Sequence, residues 1–264
     1  EIPLIPQAAA WLSEAAQLSI DTSGRLLGLL AWLVASGIFF GALVRAIPQE
    51  KALIALFWSL FSPLAFAYAP AFQNDTTAIA VSLGAWAVLL AWRKKPRLST
   101  ALVAGLLTAL SLLLKPHIVF WLAPAAAVIV FAGENRPPLR HWWPLALFGI
   151  AGGLLASVWY LHAASIHRAF PTPGATVATG WVDASLLLTS HFWVEMARQL
   201  GLMVFTPVGA GLALIGLTRS SGRNLTEWSL LAWGCGVLVQ DLVFATRFID
   251  DLSYGTEYYQ LALV

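Results

Sequence analysis

Apolar residues in this chain fall into long runs that are separated by short polar or charged links. A helix needs about 20 apolar residues to cross a bilayer, and somewhat fewer where long side chains at its ends reach the headgroups. Eight runs are of this kind, at residues 26–46, 52–71, 77–92, 98–114, 118–132, 143–162, 197–218 and 228–246. A ninth begins near residue 259. The pattern predicts an all-α, polytopic transmembrane helical bundle with about eight complete spans.

The two ends of the chain follow a different pattern. Residues 3–20 are apolar, but four polar residues interrupt them: Gln7, Ser13, Glu14 and Gln17. This is typical of an amphipathic helix that lies in the membrane interface. The chain begins at Glu1 without a Met and stops inside an apolar run. We therefore expect residues 1–264 to be a single transmembrane domain, an internal fragment of a longer chain that lacks its N-terminal span, first outer loop and C-terminal part.

Composition excludes a soluble fold. Hydrophobic residues make up 59% of the chain and charged residues 11%, whereas an ordinary globular chain has about 45–50% apolar and about 25% charged residues. A lipid bilayer is the expected surrounding, and no nucleic-acid partner is expected. The 13 Trp residues are predicted to lie at the two membrane–water interfaces, where amphipathic rings are favoured.

Charged residues alternate between the two sides of the predicted bundle. Ten of the 15 Lys and Arg residues lie in alternate links: Arg45, Lys51, Arg93, Lys94, Lys95, Arg97, Arg136, Arg140, Arg219 and Arg223. These short basic links indicate the cytoplasmic side, because cytoplasmic loops carry an excess of Lys and Arg. The outer side holds most of the acidic residues and one long connection, about residues 162–192. Loops of that length are usually functional or disordered, so we expect the function to reside on the outer side.

Two polar positions on the predicted outer side could carry chemistry. Asp75 lies between two closely spaced spans, where it could stabilise the positive end of the next helix or stand at the mouth of a cavity. Lys115 and His117 flank Pro116 within a long apolar stretch. Their side chains could reach out to lipid phosphates, or they could bind an anionic group of a substrate near the outer leaflet. Both interpretations stay open at each position.

Two further features lie towards the C-terminal end. Asp241 falls inside the last complete span, and an ionisable residue there is a functional candidate by default. A local ion pair with Arg247 and a position that faces water are the alternatives. Arg247 also opens a charged and aromatic cluster that extends to Glu257, Tyr258 and Tyr259 on the outer side. The cluster is either an interfacial aromatic belt with a helix cap or part of a binding site.

Several short motifs follow one another in a recognisable order. They are Glu1-Ile2-Pro3-Leu4, Phe72-Gln73-Asn74-Asp75, Lys115-Pro116 after a Gly-Leu-Leu-Thr-Ala-Leu run, a long outer loop, and Glu257-Tyr258-Tyr259-Gln260-Leu261. Together they resemble the C-type (GT-C) membrane glycosyltransferases. The similar group includes the lipid A aminoarabinose transferases, the protein mannosyltransferases and the rhizobial core-oligosaccharide transferases. The resemblance covers essentially the whole chain.

The resemblance implies transfer of a sugar from a polyprenyl-phosphate carrier to a hydroxyl group of a lipid, glycan or protein acceptor. It also implies an active site on the periplasmic side of a bacterial inner membrane. The family's principal general base, an Asp in the first outer loop, would precede residue 1, so the fragment is expected to be inactive alone. Glu1 matches an acid that helps to hold a divalent metal ion in some relatives. The second-loop acid of the family falls on Asp75, which makes Asp75 and Glu1 the expected catalytic acids.

The remaining matches concern the carrier. The Lys of the mid-chain break falls on Lys115, which implies that Lys115 and its neighbour His117 bind the carrier phosphate. Further contacts with carrier or sugar are expected from the C-terminal cluster, namely Arg247, Glu257, Tyr258 and Tyr259. We therefore expect these side chains, Glu1 and Asp75 to converge around one cavity at the outer membrane surface.

A membrane transporter or flippase for a lipid-linked or anionic substrate is the main alternative, and a non-catalytic scaffold of the cell envelope is a third interpretation. A transporter predicts paired charges near the bilayer midplane and broken spans in matching halves of the chain. In this sequence the charges gather near the membrane faces, and only Asp241 lies inside a predicted span.

Overall fold

The computed structural model describes residues 3–133, 137–138, 141–169, 183–218 and 222–245. Within these ranges the chain forms helices and no strand, which confirms the predicted all-α membrane fold. The α-helices in these ranges are α1 Leu4–Ala16, α2 Ile20–Leu43, α3 Gln49–Phe61, α4 Pro63–Tyr68, α5 Asp75–Lys94, α6 Leu98–Leu114, α7 Val119–Phe131, α8 Trp143–Ala169, α9 Ser190–Gln199, α10 Thr206–Thr218 and α11 Leu225–Val243.

Fewer helices are long enough to cross a membrane than the sequence predicts. In the described ranges, three are individually long and apolar enough: Ile20–Leu43, Asp75–Lys94 and Trp143–Ile166. A fourth crossing results if the bent pair Ser190–Leu202 and Thr206–Thr218 forms one span. The predicted number of about eight complete spans is larger because several predicted spans are shortened or divided in the structure.

The span predicted at residues 52–71 is divided into α3 and α4. Ser62 separates them in an extended conformation, and its hydroxyl accepts a hydrogen bond from the Ala65 N–H at 3.1 Å. Pro63 then begins α4. Proline suits the first position of a helix because the missing N–H would have no partner there. A cap followed by a proline therefore starts a new helix where hydropathy alone suggests a continuous one.

The span predicted at residues 197–218 is divided as well. A π-helical turn, Leu200–Val204, separates α9 from α10, and the two helices are bent by 94°. Val204 in this turn is fully buried and packs in a cluster with Leu64 of α4 and Ile79 of α5. The bend thus places the turn against the bundle.

α5 lies at the centre of the bundle and packs against α2, α6 and α7, with α8 outside α6 and α11 outside α7. The backbones of α7 and α11 touch at Gly236, where a Cβ atom would collide with the carbonyl oxygen of Phe120. Trp86 of α5 donates a hydrogen bond from Nε1 to the Ser229 hydroxyl of α11 at 2.9 Å. This bond fixes the register of α11 relative to α5.

The tryptophans divide between the core and the surface. Five of them are at most 4% exposed: Trp32, Trp86, Trp92, Trp121 and Trp233. Four others are at least 49% exposed: Trp11, Trp143, Trp193 and Trp228. The first group is buried between helices. Their wide rings fill the space between helices, and small residues elsewhere let the backbones approach closely.

The two ends of the helical bundle differ in charge among the described residues. Arg93 at the end of α5 donates a hydrogen bond to the Ala132 carbonyl, after α7, at 2.7 Å. Asn224, which precedes α11, donates to the Ala46 carbonyl, after α2, at 3.0 Å. These contacts bring the ends of α2, α5 and α7 and the start of α11 to one end of the bundle, here called the basic end. Asp75 begins α5 and Lys115 follows α6, so both lie at the opposite end, here called the Asp75 end.

Candidate functional site

Asp75 is the first residue of α5 and is only 6% exposed. The N-terminus of a helix carries roughly half a positive charge, which stabilises an anion placed there. The preceding N-cap residue, Asn74, makes no side-chain capping bond to the helix. A nearly buried carboxylate therefore stands at the positive end of the central helix.

The link that leads into Asp75 lies against the first turns of α2. Two glycines of α2 allow this contact. A Cβ atom on Gly28 would lie 2.7 Å from the Ala71 carbonyl oxygen, and one on Gly24 would collide with the Phe72 ring. Because a larger side chain at either glycine would push the link away, these glycines fix the position of Asp75 relative to α2.

Lys115 stands at a break between α6 and α7. Its backbone is extended, with φ −149° and ψ 110°, and Pro116 begins a 3₁₀ turn that ends at Ile118. A following proline disfavours the helical region for the residue before it, which favours the end of α6 at this point. The break releases Lys115 from the helix and turns its side chain towards the start of α5.

Lys115 and Asp75 form an ion pair. Lys115 Nζ lies 3.2 Å from Asp75 Oδ1, and the two side chains are only 14% and 8% exposed. Water screens such a pair weakly, so the two charges interact more strongly than they would at a surface. The structure thus brings together two of the residues that the sequence singles out, from different helices.

His117 lies next to this ion pair in the 3₁₀ turn. Its ring centroid is 5.6 Å from that of Trp121 in an edge-on arrangement. The Trp121 ring in turn lies 6.2 Å from Trp233 of α11. An aromatic row therefore connects the break at Lys115 with the interface between α7 and α11.

A family comparison bears on this site. The family described as dolichyl-phosphate-mannose-protein mannosyltransferase matches residues 3–162. The chain belongs to this family. It is a membrane glycosyltransferase of the GT-C type, as the resemblance predicts. No curated protein and no solved structure matches the chain significantly.

The match covers only some of the described helices of this glycosyltransferase. It includes α1 to α7, most of α8, the Asp75–Lys115 ion pair and His117. The helices α9 to α11 lie beyond it. A lipid-linked sugar donor and a membrane environment are what this family indicates for the chain.

Five predicted site residues of the glycosyltransferase lie outside the described residues. They are Glu1, Arg247, Glu257, Tyr258 and Tyr259. Their convergence with Asp75 and Lys115 stays a prediction. The predicted metal site depends on Glu1, and the described ranges contain no group of three or more His, Cys, Asp or Glu residues that could hold a metal ion.

Sequence reasoning missed several buried polar side chains of this glycosyltransferase. Ser23, Thr76 and Gln240 are at most 1% exposed, and their side-chain oxygen and nitrogen atoms have no hydrogen-bond partner among the described residues. Ser and Thr give little signal, since both are common where membrane helices pack closely. Gln240 could have been found, because it stands beside Asp241 in an otherwise apolar stretch.

Proposed function

We propose that this glycosyltransferase moves a sugar from a polyprenyl-phosphate carrier to an acceptor hydroxyl at the non-cytoplasmic face of the membrane, and that Lys115 binds the carrier phosphate. The observation that carries the proposal is the ion pair between Lys115 and Asp75, which is nearly buried at one end of the bundle. The family description supports it, because dolichyl-phosphate-mannose is a sugar on a polyprenyl-phosphate carrier.

The proposed step requires a cation where the bond to phosphate breaks. The acceptor oxygen forms a new bond to the anomeric carbon, and the bond from that carbon to the phosphate oxygen breaks. The electron pair of the broken bond stays on the departing phosphate, and a carboxylate takes the proton of the acceptor hydroxyl. A preorganised ammonium group stabilises the charge that develops on the phosphate. Lys115 supplies this group, and His117 adds a hydrogen bond to the phosphate.

Asp75 has two roles in this proposal. In the absence of donor, Asp75 neutralises Lys115 and holds its flexible chain in place. When a phosphate binds, it shares the ammonium of Lys115, and the carboxylate becomes able to accept a hydrogen bond from the acceptor hydroxyl. Asp75 then orients the acceptor, while a second carboxylate of the full-length protein serves as the principal general base.

The proposed face of the membrane follows from charge. Arg45, Arg93 and Lys94 lie at the basic end of the bundle, and an excess of Lys and Arg is typical of the cytoplasmic side. The Asp75 end would then face the opposite compartment. In a bacterial inner membrane this is the periplasm, where the acceptor would be a lipid, glycan or protein hydroxyl.

The test is to replace Lys115 with Gln in the full-length protein, reconstituted in lipid nanodiscs. We expect the kcat/KM for a radiolabelled polyprenyl-phosphate mannose, glucose or aminoarabinose donor to fall about 10- to 100-fold, the size expected for one charge-assisted hydrogen bond. Lys95→Gln is the matched control, because Lys95 is exposed at the basic end. Equal kcat/KM values for wild type and Lys115→Gln would remove Lys115 from the site.

The same preparation separates the enzyme from the transporter alternative. Proteoliposomes are loaded with a fluorescent polyprenyl-phosphate sugar, and both its movement between leaflets and its transfer to acceptor are measured. Sugar transfer without movement between leaflets supports the proposal. Movement between leaflets without any sugar transfer would establish a transporter.

A further inference from the structure

Two adjacent polar residues near the end of α11 are buried without partners. Gln240 is 0% exposed and Asp241 is 1% exposed. Among the described residues, none of the four side-chain oxygen and nitrogen atoms of this pair has a hydrogen-bond partner. Burying such groups unpaired is energetically unfavourable. A ligand that supplies the missing hydrogen bonds would account for their position.

The register between α5 and α11 places this pair at the Asp75 end. The Trp86–Ser229 hydrogen bond joins the two helices, and α11 starts at the basic end, where α5 finishes. Asp75 precedes Trp86 by eleven residues and Asp241 follows Ser229 by twelve. At a rise of 1.5 Å per residue these distances are about 16 Å and about 18 Å. Asp241 and Asp75 therefore lie at nearly the same depth in the bundle.

A second contact gives the same depth. Trp121 of α7 lies against Trp233 of α11, with ring centroids 6.2 Å apart. Lys115 precedes Trp121 by six residues and Asp241 follows Trp233 by eight, which corresponds to about 9 Å and about 12 Å along the two helices. The unpartnered pair thus shares a layer of the bundle with the Asp75–Lys115 ion pair.

The two side chains leave α11 on adjacent faces. Gln240 shares a face with Gly236 and Trp233, which contact α7. Asp241 shares a face with Val237 of the main core and with Leu238, which packs against the cluster around Phe192. Both faces are covered by protein, so the pair is directed into the bundle and away from lipid.

We propose that Gln240 and Asp241 bind hydroxyl groups of the sugar on the donor and thereby set which sugar is transferred, an inference that rests on the proposed function. A carboxylate accepts hydrogen bonds from two hydroxyls, and an amide both donates and accepts. These capacities match a neutral ring with several hydroxyls. The phosphate of the carrier has Lys115 at the same depth.

A site that hydrogen-bonds a substrate hydroxyl discriminates strongly, because an analogue that lacks the group leaves buried polar atoms unpaired. A divalent cation fits the pair less well, since one carboxylate and one amide supply too few oxygens for the usual six or more ligands, and the described residues add no cluster of acidic or histidine ligands.

The experiment compares carriers with and without a sugar. Full-length protein in lipid nanodiscs is titrated with bare polyprenyl phosphate and with its mannosyl, glucosyl and aminoarabinosyl derivatives. We expect wild type to bind at least one sugar-bearing carrier more tightly than the bare one. Asp241→Asn and Gln240→Leu should each reduce this preference about tenfold and leave the affinity for the bare carrier unchanged. That unchanged affinity also shows that the variants are folded.

Two controls complete the design. Ser36→Ala removes another buried hydroxyl that has no partner among the described residues, and it should leave the preference intact. Arg247→Gln tests whether Asp241 is merely an ion-pair partner. If Arg247→Gln lowers the preference and the Arg247→Gln/Asp241→Asn double variant restores it, the pairing role is correct and sugar binding by Asp241 is wrong.

The outcomes separate this inference from the proposed function. Wild type that binds no polyprenyl phosphate, with or without sugar, contradicts the proposed function itself. Wild type that binds all carriers equally, or variants that keep the full preference, overturns the sugar-binding role of Gln240 and Asp241 and leaves the phosphate-binding role of Lys115 standing.

Discussion

The ion pair between Asp75 and Lys115 makes a quantitative prediction about stability. Removing one member of a buried pair leaves the other charge uncompensated, which costs about 3–5 kcal/mol in a fully dry interior. Because the side chains are still 8% and 14% exposed, we expect a somewhat smaller cost of about 2–4 kcal/mol. Asp75→Asn should cost more than Lys115→Met, because the carboxylate that remains in Lys115→Met is stabilised by the N-terminus of α5.

The double variant Asp75→Asn/Lys115→Met should be only slightly less stable than wild type, since it leaves no buried charge. The coupling free energy of the cycle should therefore reach about 2 kcal/mol or more. The measurement is the free energy of unfolding by SDS in mixed micelles, followed by tryptophan fluorescence. A coupling below about 0.5 kcal/mol, which is the limit for independent sites, would show that the pair does not form.

An ion pair on the surface provides the matched control for this cycle. Arg25 Nε lies 2.8 Å from Asp21 Oδ2, a shorter distance than in the Lys115–Asp75 pair, but the two side chains are 58% and 61% exposed. Water and salt weaken an exposed pair. Asp21→Asn and Arg25→Gln should therefore show no measurable coupling. Equal coupling in both cycles would refute the argument from burial.

Three further substitutions test the packing, each by SDS unfolding. Gly236→Ala should destabilise the protein by about 1–3 kcal/mol because the added Cβ collides with the α7 backbone. Gly37→Ala is the control, since its Cβ meets nothing within 4 Å, and it should be neutral or stabilising. Equal effects of the two variants would show that α7 and α11 do not cross at Gly236. Trp86→Phe should cost about 1 kcal/mol through its lost hydrogen bond to α11, and no loss would contradict the assigned register. Asn224→Ala should cost about 1–2 kcal/mol because it removes a capping box, and unchanged stability would exclude that cap.

Most helices and their approximate limits follow from hydropathy, but their continuity does not. The predicted limits of α6 agree with the structure at residues 98–114, because polar residues bound a uniform apolar run. The break at Ser62 was missed, although a Ser-Pro pair is a recognised helix start. The bend after Gln199 depends on packing of a buried turn against α4 and α5, and no local pattern in an apolar stretch encodes such a contact.

The candidate site could be predicted in part. Asp75 and Lys115 stand out as charges beside apolar runs, and the alternation of basic links places them on one side of the membrane. Their direct contact could not be derived, since it depends on which helices are neighbours. Gln240 carries a sequence signal as a polar neighbour of Asp241 in an apolar stretch, but its burial without a partner among the described residues is a property of the folded bundle.

Arg93 shows how one basic side chain can serve two separate purposes. Its guanidinium donates to the carbonyl groups of Val130 at 3.2 Å and Ala132 at 2.7 Å, oxygens that helix α7 cannot satisfy within itself. A lysine would keep the positive charge at the basic end, but it lacks the planar fork of donors that serves both oxygens in a fixed geometry. Positive charge at this end and termination of α7 thus impose different demands on the same position, and arginine meets both.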